Sequence, residues 1–175
     1  MPLKVVQQDI TKMPVDAIVN AANSQLARGG GVCGAIFEAA GPDKLQEACR
    51  DLGPVLTGQA VVTPGFNLPA KYIIHAVGPI YRTYEPEESE KLLRSAYTSA
   101  LRLAVEKGCR SVAFPLISSG TYGYPKEAAL KVAVSAINDF LKEHDLEVYL
   151  TLVDAKAIAA AEKLLGGLDR VATPA

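Results

Sequence analysis

Residues 16–40 read Asp16-Ala17-Ile18-Val19-Asn20-Ala21-Ala22-Asn23-Ser24-Gln25-Leu26-Ala27-Arg28-Gly29-Gly30-Gly31-Val32-Cys33-Gly34-Ala35-Ile36-Phe37-Glu38-Ala39-Ala40. The run Ala17–Ala21 has the look of a short buried strand, and Cys33–Ala40 that of an apolar helix. Between them lie an amide-rich strand end (Asn20, Asn23) and three glycines. A second unit repeats this plan. The strand-like run Ser111–Ile117 meets Ser118-Ser119-Gly120-Thr121-Tyr122-Gly123, and Pro125 then sits at the first turn of a helix over Lys126–Leu141. Each loop brings free backbone N–H groups to a helix N-terminus, where an anion is stabilised. Two such loops could grip a diphosphate without a lysine.

The same alternation extends outward to both ends of the chain. Leu3–Gln8 reads as a strand and Lys44–Leu52 as a helix. Gln59–Thr63 and Tyr72–Val77 are β-rich runs divided by Pro64, Gly65 and Pro69, hence adjacent strands joined by a turn. Glu88–Lys107 carries Leu92, Leu93, Ala96, Tyr97, Ala100, Leu101 and Ala104 at helical spacing, and Gly108 stops it. Glu147–Val153 and Ala155–Leu165 complete the series, and the stretch from Gly166 onward reads as a loose tail. Strands interleaved with helices predict a three-layer α/β/α sandwich around a mixed, mostly parallel sheet. In such folds ligands sit outside the carboxyl ends of the strands. Asp9, Ile10, Asn20–Asn23, Ser118–Gly123 and Asp154 all follow a predicted strand and should share one rim.

Bulk composition narrows the class. The 175 residues, 49% hydrophobic and 21% charged, suit one soluble domain, expected over 1–167 with a tail over 168–175. A net charge of −1 without long runs of one sign gives no general nucleic-acid or membrane surface. Cys33, Cys49 and Cys109 are odd in number and lack CxxC spacing, so neither disulfides nor a metal site is expected, and no cofactor is implied. Without a signal-peptide pattern or an apolar run of spanning length, a cytoplasmic monomer is the expectation.

Gly29, Gly31 and Gly34 spell GxGxxG, but seven residues separate Ala21 from Gly29, and Asp51, the nearest acidic candidate, lies inside a predicted helix. A dinucleotide-binding turn needs its glycines directly after the strand, and a P-loop needs Gly-Lys-Ser/Thr; both are excluded. In the second loop Tyr122 stands among hydroxyls and glycines, as a ring that packs on a sugar or base would. Asp9 suits either a turn cap or an acceptor for an exocyclic amine. His75, on an apolar strand, reads as a hydrogen-bonded structural residue. Ser118 and Ser119 have no histidine placed to activate them.

Five segments in order resemble the macrodomains, on the branch of the MacroD-type hydrolases and bacterial O-acetyl-ADP-ribose deacetylases. They are Val6–Thr11, Asp16–Ser24, Gly29–Gly41, Leu68–Pro79, and Ala113–Pro115 with Ser118–Pro125. The resemblance covers roughly Leu3 to Leu165 and implies recognition of ADP-ribose or an ADP-ribosylated protein. It would place Asp9 and the Ile10 N–H on adenine, Asn23 and Tyr122 near the distal ribose, and Asp154 on the same rim. The N–H groups of Gly30, Gly31 and Val32 and of Ser119, Gly120, Thr121 and Tyr122 would hold the diphosphate. Asn20 would serve the loop backbone.

The chain departs from the pattern at three places. Hydrolytic relatives usually read Gly-Gly-Val-Asp-Gly-Ala-Ile-His where this chain has Gly30-Gly31-Val32-Cys33-Gly34-Ala35-Ile36-Phe37. Loss of an acid/base group at Cys33 would cost roughly two to four decades of rate. Gln8 replaces a common glycine, and Val153 an aromatic that packs on the base. Two functions therefore stand side by side. One is hydrolysis at the distal ribose, with Asn23 and Cys33 as candidate catalytic residues. The other is a non-catalytic reader in which Cys33 merely lines the pocket.

Overall fold

The computed structural model describes residues 3–169. Six strands form one sheet: β1 (Leu3–Gln7), β2 (Ala17–Ala22), β3 (Ala60–Pro64), β4 (Tyr72–Val77), β5 (Ser111–Phe114) and β6 (Glu147–Leu152). Their order is β1-β6-β5-β2-β4-β3. All neighbours are parallel except β3 and β4, which pair antiparallel across the short turn that Pro64, Gly65 and Pro69 announce. The mixed, mostly parallel sandwich expected from the alternation is the fold observed.

Side chains alternate across the sheet, as the strand period of two requires. Val19, Ile74, Phe114 and Leu150 point to one core, which α3 (Pro86–Glu106), α4 (Lys126–Leu141) and α5 (Ala155–Leu165) cover with Leu93, Tyr97, Leu130 and Ala161. Ile18, Ile73 and Ala113 point to the other, covered by α1 (Gly31–Ala40) and α2 (Pro42–Cys49) with Ile36, Phe37 and Leu45. Each buried Leu, Ile or Phe contributes about 1.5–3 kcal/mol of transfer free energy, so both faces are anchored independently of the loops.

Several boundaries differ from the expected ones for local reasons. The run Ser111–Ile117 stops being a strand at Phe114, because Pro115 has no N–H for the ladder. Helices α2 and α3 start earlier than their apolar patterns, at Pro42 and Pro86, where a missing N–H costs nothing. Two short 3-10 turns, Ile10–Lys12 and Tyr81–Thr83, were not legible as elements. The tail expected to be loose is partly docked. Leu168 packs on the first core, the Asp169 N–H donates to Val5 O at 2.7 Å, and its carboxylate accepts from the Val5 N–H at 2.9 Å. Residues 170–175 of that predicted tail lie outside the described residues.

One feature of the ladder prepares the site. β2 pairs with β4 along its whole length but with β5 only at Ala17–Val112 and Ile18–Ala113. Beyond that point β2 and β5 part, and a crevice opens at their carboxyl ends.

Candidate ligand-binding site

The crevice is a cleft of about 750 Å³, within the usual range of roughly 300–1,000 Å³ for small-molecule sites. The ends of β1, β2, β5 and β6 all contribute to its lining, with the start of α1 and the loop before α4.

The first loop supplies one set of donors. Gly30 caps α1, and the first helical bond runs from the Gly34 N–H to Gly30 O at 3.1 Å. The N–H groups of Gly31, Val32 and Cys33 therefore have no acceptor inside the helix. Gly31 turns the chain at φ +56°, a left-handed value that favours glycine. Gly34 is required by crowding, since a Cβ there would lie 2.5 Å from Gly29 O.

The second loop is held by its own bonds. Ser118 adopts φ +67° and is fixed by its hydroxyl, which donates to Pro79 O at 2.8 Å. The Tyr124 N–H reaches Ser118 O at 2.9 Å and the Gly123 N–H reaches Gly120 O at 3.0 Å. Beneath them the buried Tyr97 hydroxyl accepts from the Ile117 N–H at 3.0 Å and donates to Pro115 O at 3.3 Å. Gly120, Thr121 and Tyr122 are left with N–H groups that meet no acceptor among the described residues. The Ser119 N–H has only a long bond, 3.4 Å, to Leu116 O. Two sets of backbone donors thus border one cleft.

The strand ends carry the polar side chains. Asp9 caps the turn Ile10–Lys12, its Oδ1 accepting from the Thr11 N–H at 3.0 Å and from the Thr11 hydroxyl at 2.7 Å. Its exposed carboxylate also lines the cleft, so the cap and the ligand reading hold together, with Oδ2 as the spare acceptor. Gln8 folds back to accept the Asp9 N–H through Oε1 at 3.1 Å. Val153 is exposed on the rim. Asp154 caps α5 by accepting the Ala157 N–H at 3.0 Å, and that bond, assisted by Lys126, holds its carboxyl below the usual range.

The loop-backbone bonds expected of Asn20 are made by Asn23, which keeps its place on the cleft. It is Asn23 that serves the loop backbone, donating to Ala27 O at 2.8 Å and accepting from the Ala27 N–H at 3.0 Å. One amide hydrogen and one lone pair remain for a ligand. Asn20, only 1% exposed, instead forms a buried polar row across three strands. Its Nδ2 lies 3.1 Å from His75 Nδ1, and His75 Nε2 lies 2.9 Å from Thr63 Oγ1. With the amide donating, the imidazole accepts at Nδ1 and donates from Nε2 to Thr63. Burial pushes the His75 pKa down to about 4, which makes it a neutral structural residue away from the cleft lining. Asn20 Oδ1 finds no partner among the described residues.

Cys33 stands where this row meets the cleft. Its Sγ lies 3.7 Å from Asn20 Nδ2 and 3.8 Å from Ala27 O, and the residue is 8% exposed. Tyr122 lines the same end, and burial first, then Cys33, raises its hydroxyl pKa. The three cysteines are unpaired and buried. Among the described residues no cluster of His, Cys, Asp and Glu could hold a metal ion, and no helix is long and apolar enough to cross a membrane.

One residue of the site escaped the sequence reading, which expected a clamp without lysine. Lys126, at the first turn of α4, donates from Nζ to Ser119 O at 2.7 Å and lies 3.5 Å from Asp154 Oδ2. A cation is unfavourable at a helix N-terminus, so its position there was the available signal that another partner holds it.

The Macro domain family model matches residues 19–133, a span that holds both donor loops. The chain belongs to the Macro domain family. This macrodomain is 47% identical over 169 residues to the O-acetyl-ADP-ribose deacetylase of Escherichia coli K12, covering 93% of this chain and 94% of that protein. It superposes on the Oceanobacillus iheyensis macrodomain with ADP at a TM-score of 0.87 and 40% identity, covering 94% of this chain and 90% of that one. The Trypanosoma brucei macrodomain in complex with ADP-ribose gives a TM-score of 0.84 at 37% identity, with 94% and 69% covered.

Proposed function

We propose that this macrodomain binds ADP-ribose in the cleft and hydrolyses ADP-ribose derivatives at the distal ribose, as a monomer in the cytoplasm. The observation that carries the reading is the pair of backbone donor sets, at Gly31–Cys33 and Gly120–Tyr122, lining one cleft with a carboxylate at Asp9. Backbone N–H groups suit a diphosphate, and an acceptor-only carboxylate suits the amine of adenine. Asn23 and Tyr122 would then meet the distal ribose. Relatives named for deacetylation of O-acetyl-ADP-ribose support turnover of that ester or of ADP-ribosylated protein. With a thiol at Cys33, water would be oriented by the loop backbone and the ligand's own diphosphate.

A specific observation favours a second reading, a reader without turnover. The only carboxylates among the lining residues are Asp9 and Asp154, on the β1 and β6 ends, and no histidine lines the cleft. Calorimetry and turnover together test the proposal. Asp9→Ala should weaken ADP-ribose binding, and an unchanged affinity would remove Asp9 from the site. Release of acetate or of ADP-ribose above buffer supports the enzyme. No release, with activity gained in Cys33→Asp, supports the reader. Asn20 Nδ2, now beside the sulfur, is in place to hold the new carboxylate.

A further inference from the structure

Among the described residues that line the cleft Lys126 is the one cation, and the charged groups beside it there are Asp9 and Asp154. Its ammonium is tied at two points. Nζ donates to Ser119 O in the second loop and pairs with Asp154 Oδ2. The first contact ties the start of α4 to the loop that precedes it, and the second ties it to Asp154, the N-cap of α5.

We infer that Lys126 is a positioning residue for the diphosphate, and that Asp154 restrains its charge. This rests on the ADP-ribose reading above. Two physical effects act through the one side chain. By holding Ser119 O, Lys126 fixes the Ser119–Gly120 peptide, whose N–H is the first of the free donors at Gly120, Thr121 and Tyr122. By its charge, it offsets Asp154; without it the described lining keeps two carboxylates, Asp9 and Asp154, which repel a diphosphate. A lysine at the start of α4 opposes the helix dipole, so the pairing with Asp154 and Ser119 is what keeps it there. Asp154 acts on the ligand through Lys126 as well as by capping α5.

The two effects separate experimentally by salt and by sign. Calorimetric titration of the full chain with ADP-ribose at low and high salt compares wild type with Lys126→Met, Lys126→Arg and Asp154→Asn. Lys126→Met should weaken binding about tenfold at low salt, and less at high salt where the lost attraction is already screened. Lys126→Arg should restore most of the affinity. Asp154→Asn keeps the helix cap, since Asn caps as well as Asp, and should tighten binding because the ammonium loses its internal counter-ion. If Lys126→Met binds as wild type does, or is weakened equally at both salts, Lys126 is not an electrostatic positioning residue and the proposal falls. Weaker binding in Asp154→Asn also overturns it. If the wild type itself does not bind ADP-ribose, the functional reading fails first, and the inference with it.

Discussion

Acidification should destabilise this protein through His75. The imidazole is buried between Asn20 and Thr63 and titrates near 4, against 6.5 for an ordinary histidine. Between those values the unfolded chain takes up a proton that the native protein refuses, so the stability is intact above about pH 6.5 and falls as pH drops toward 4. At about 1.4 kcal/mol per pH unit the full loss is about 3 kcal/mol, of which about 2 kcal/mol appears between pH 6.5 and 5. The carboxyls of Asp139 and Asp154 titrate below their ordinary 3.8, so their own contributions disappear only at lower pH and leave that window clear. The assay is urea unfolding of wild type and His75→Gln at several pH values. Gln keeps a donor and an acceptor for the row but does not titrate, so its stability should stay level where that of the wild type declines. Parallel curves for the two proteins would refute the assignment of the acid loss to this histidine.

Three other outcomes follow from the loops. Tyr97→Phe leaves the buried Ile117 N–H and Pro115 O without their shared hydroxyl, and should cost about 1–3 kcal/mol in chemical denaturation. Gly34→Ala drives a Cβ to 2.5 Å from Gly29 O, so the first loop must shift; melting should register about 1–3 kcal/mol lost, and calorimetry a weaker hold on ADP-ribose. Gly78→Ala places a Cβ inside contact distance of Ser118 Oγ and Ile117 Cγ2, and should displace the second loop, measurable as a drop in ADP-ribose affinity larger than that of Lys126→Met.

The layers were legible because each strand and helix carries its own period, and both faces of the sheet are apolar. The carboxyl-end rim followed from chain order alone, and every residue expected on it except Asn20 and Gly123 lines the cleft. What failed was side-chain partnership. The strand pattern separates Asn20 from Asn23 but does not name their partners; the register of β2 against β4, which sets Asn20 opposite His75, and the fold of the loop at Ala27 assign their bonds. Lys126 was missed for a similar reason. Its carbonyl partner is seven residues away and its carboxylate partner belongs to another helix, so tertiary packing had to bring them together. Helix starts at prolines lay outside the apolar pattern, because that pattern reports burial and not backbone geometry.

The contact of Asp169 with Val5 has a consequence for handling the protein. β1 is an outer strand, and Val5 is the middle of its five residues, with N–H and C=O both turned away from β6. Asp169 occupies both groups, one with its carboxylate and one with its own N–H, as a single-residue stopper on the outer edge of the ladder. A chain trimmed after Gly167 would keep every helix and strand yet present a free hydrogen-bonding edge, the kind of template on which other chains add strands and aggregate.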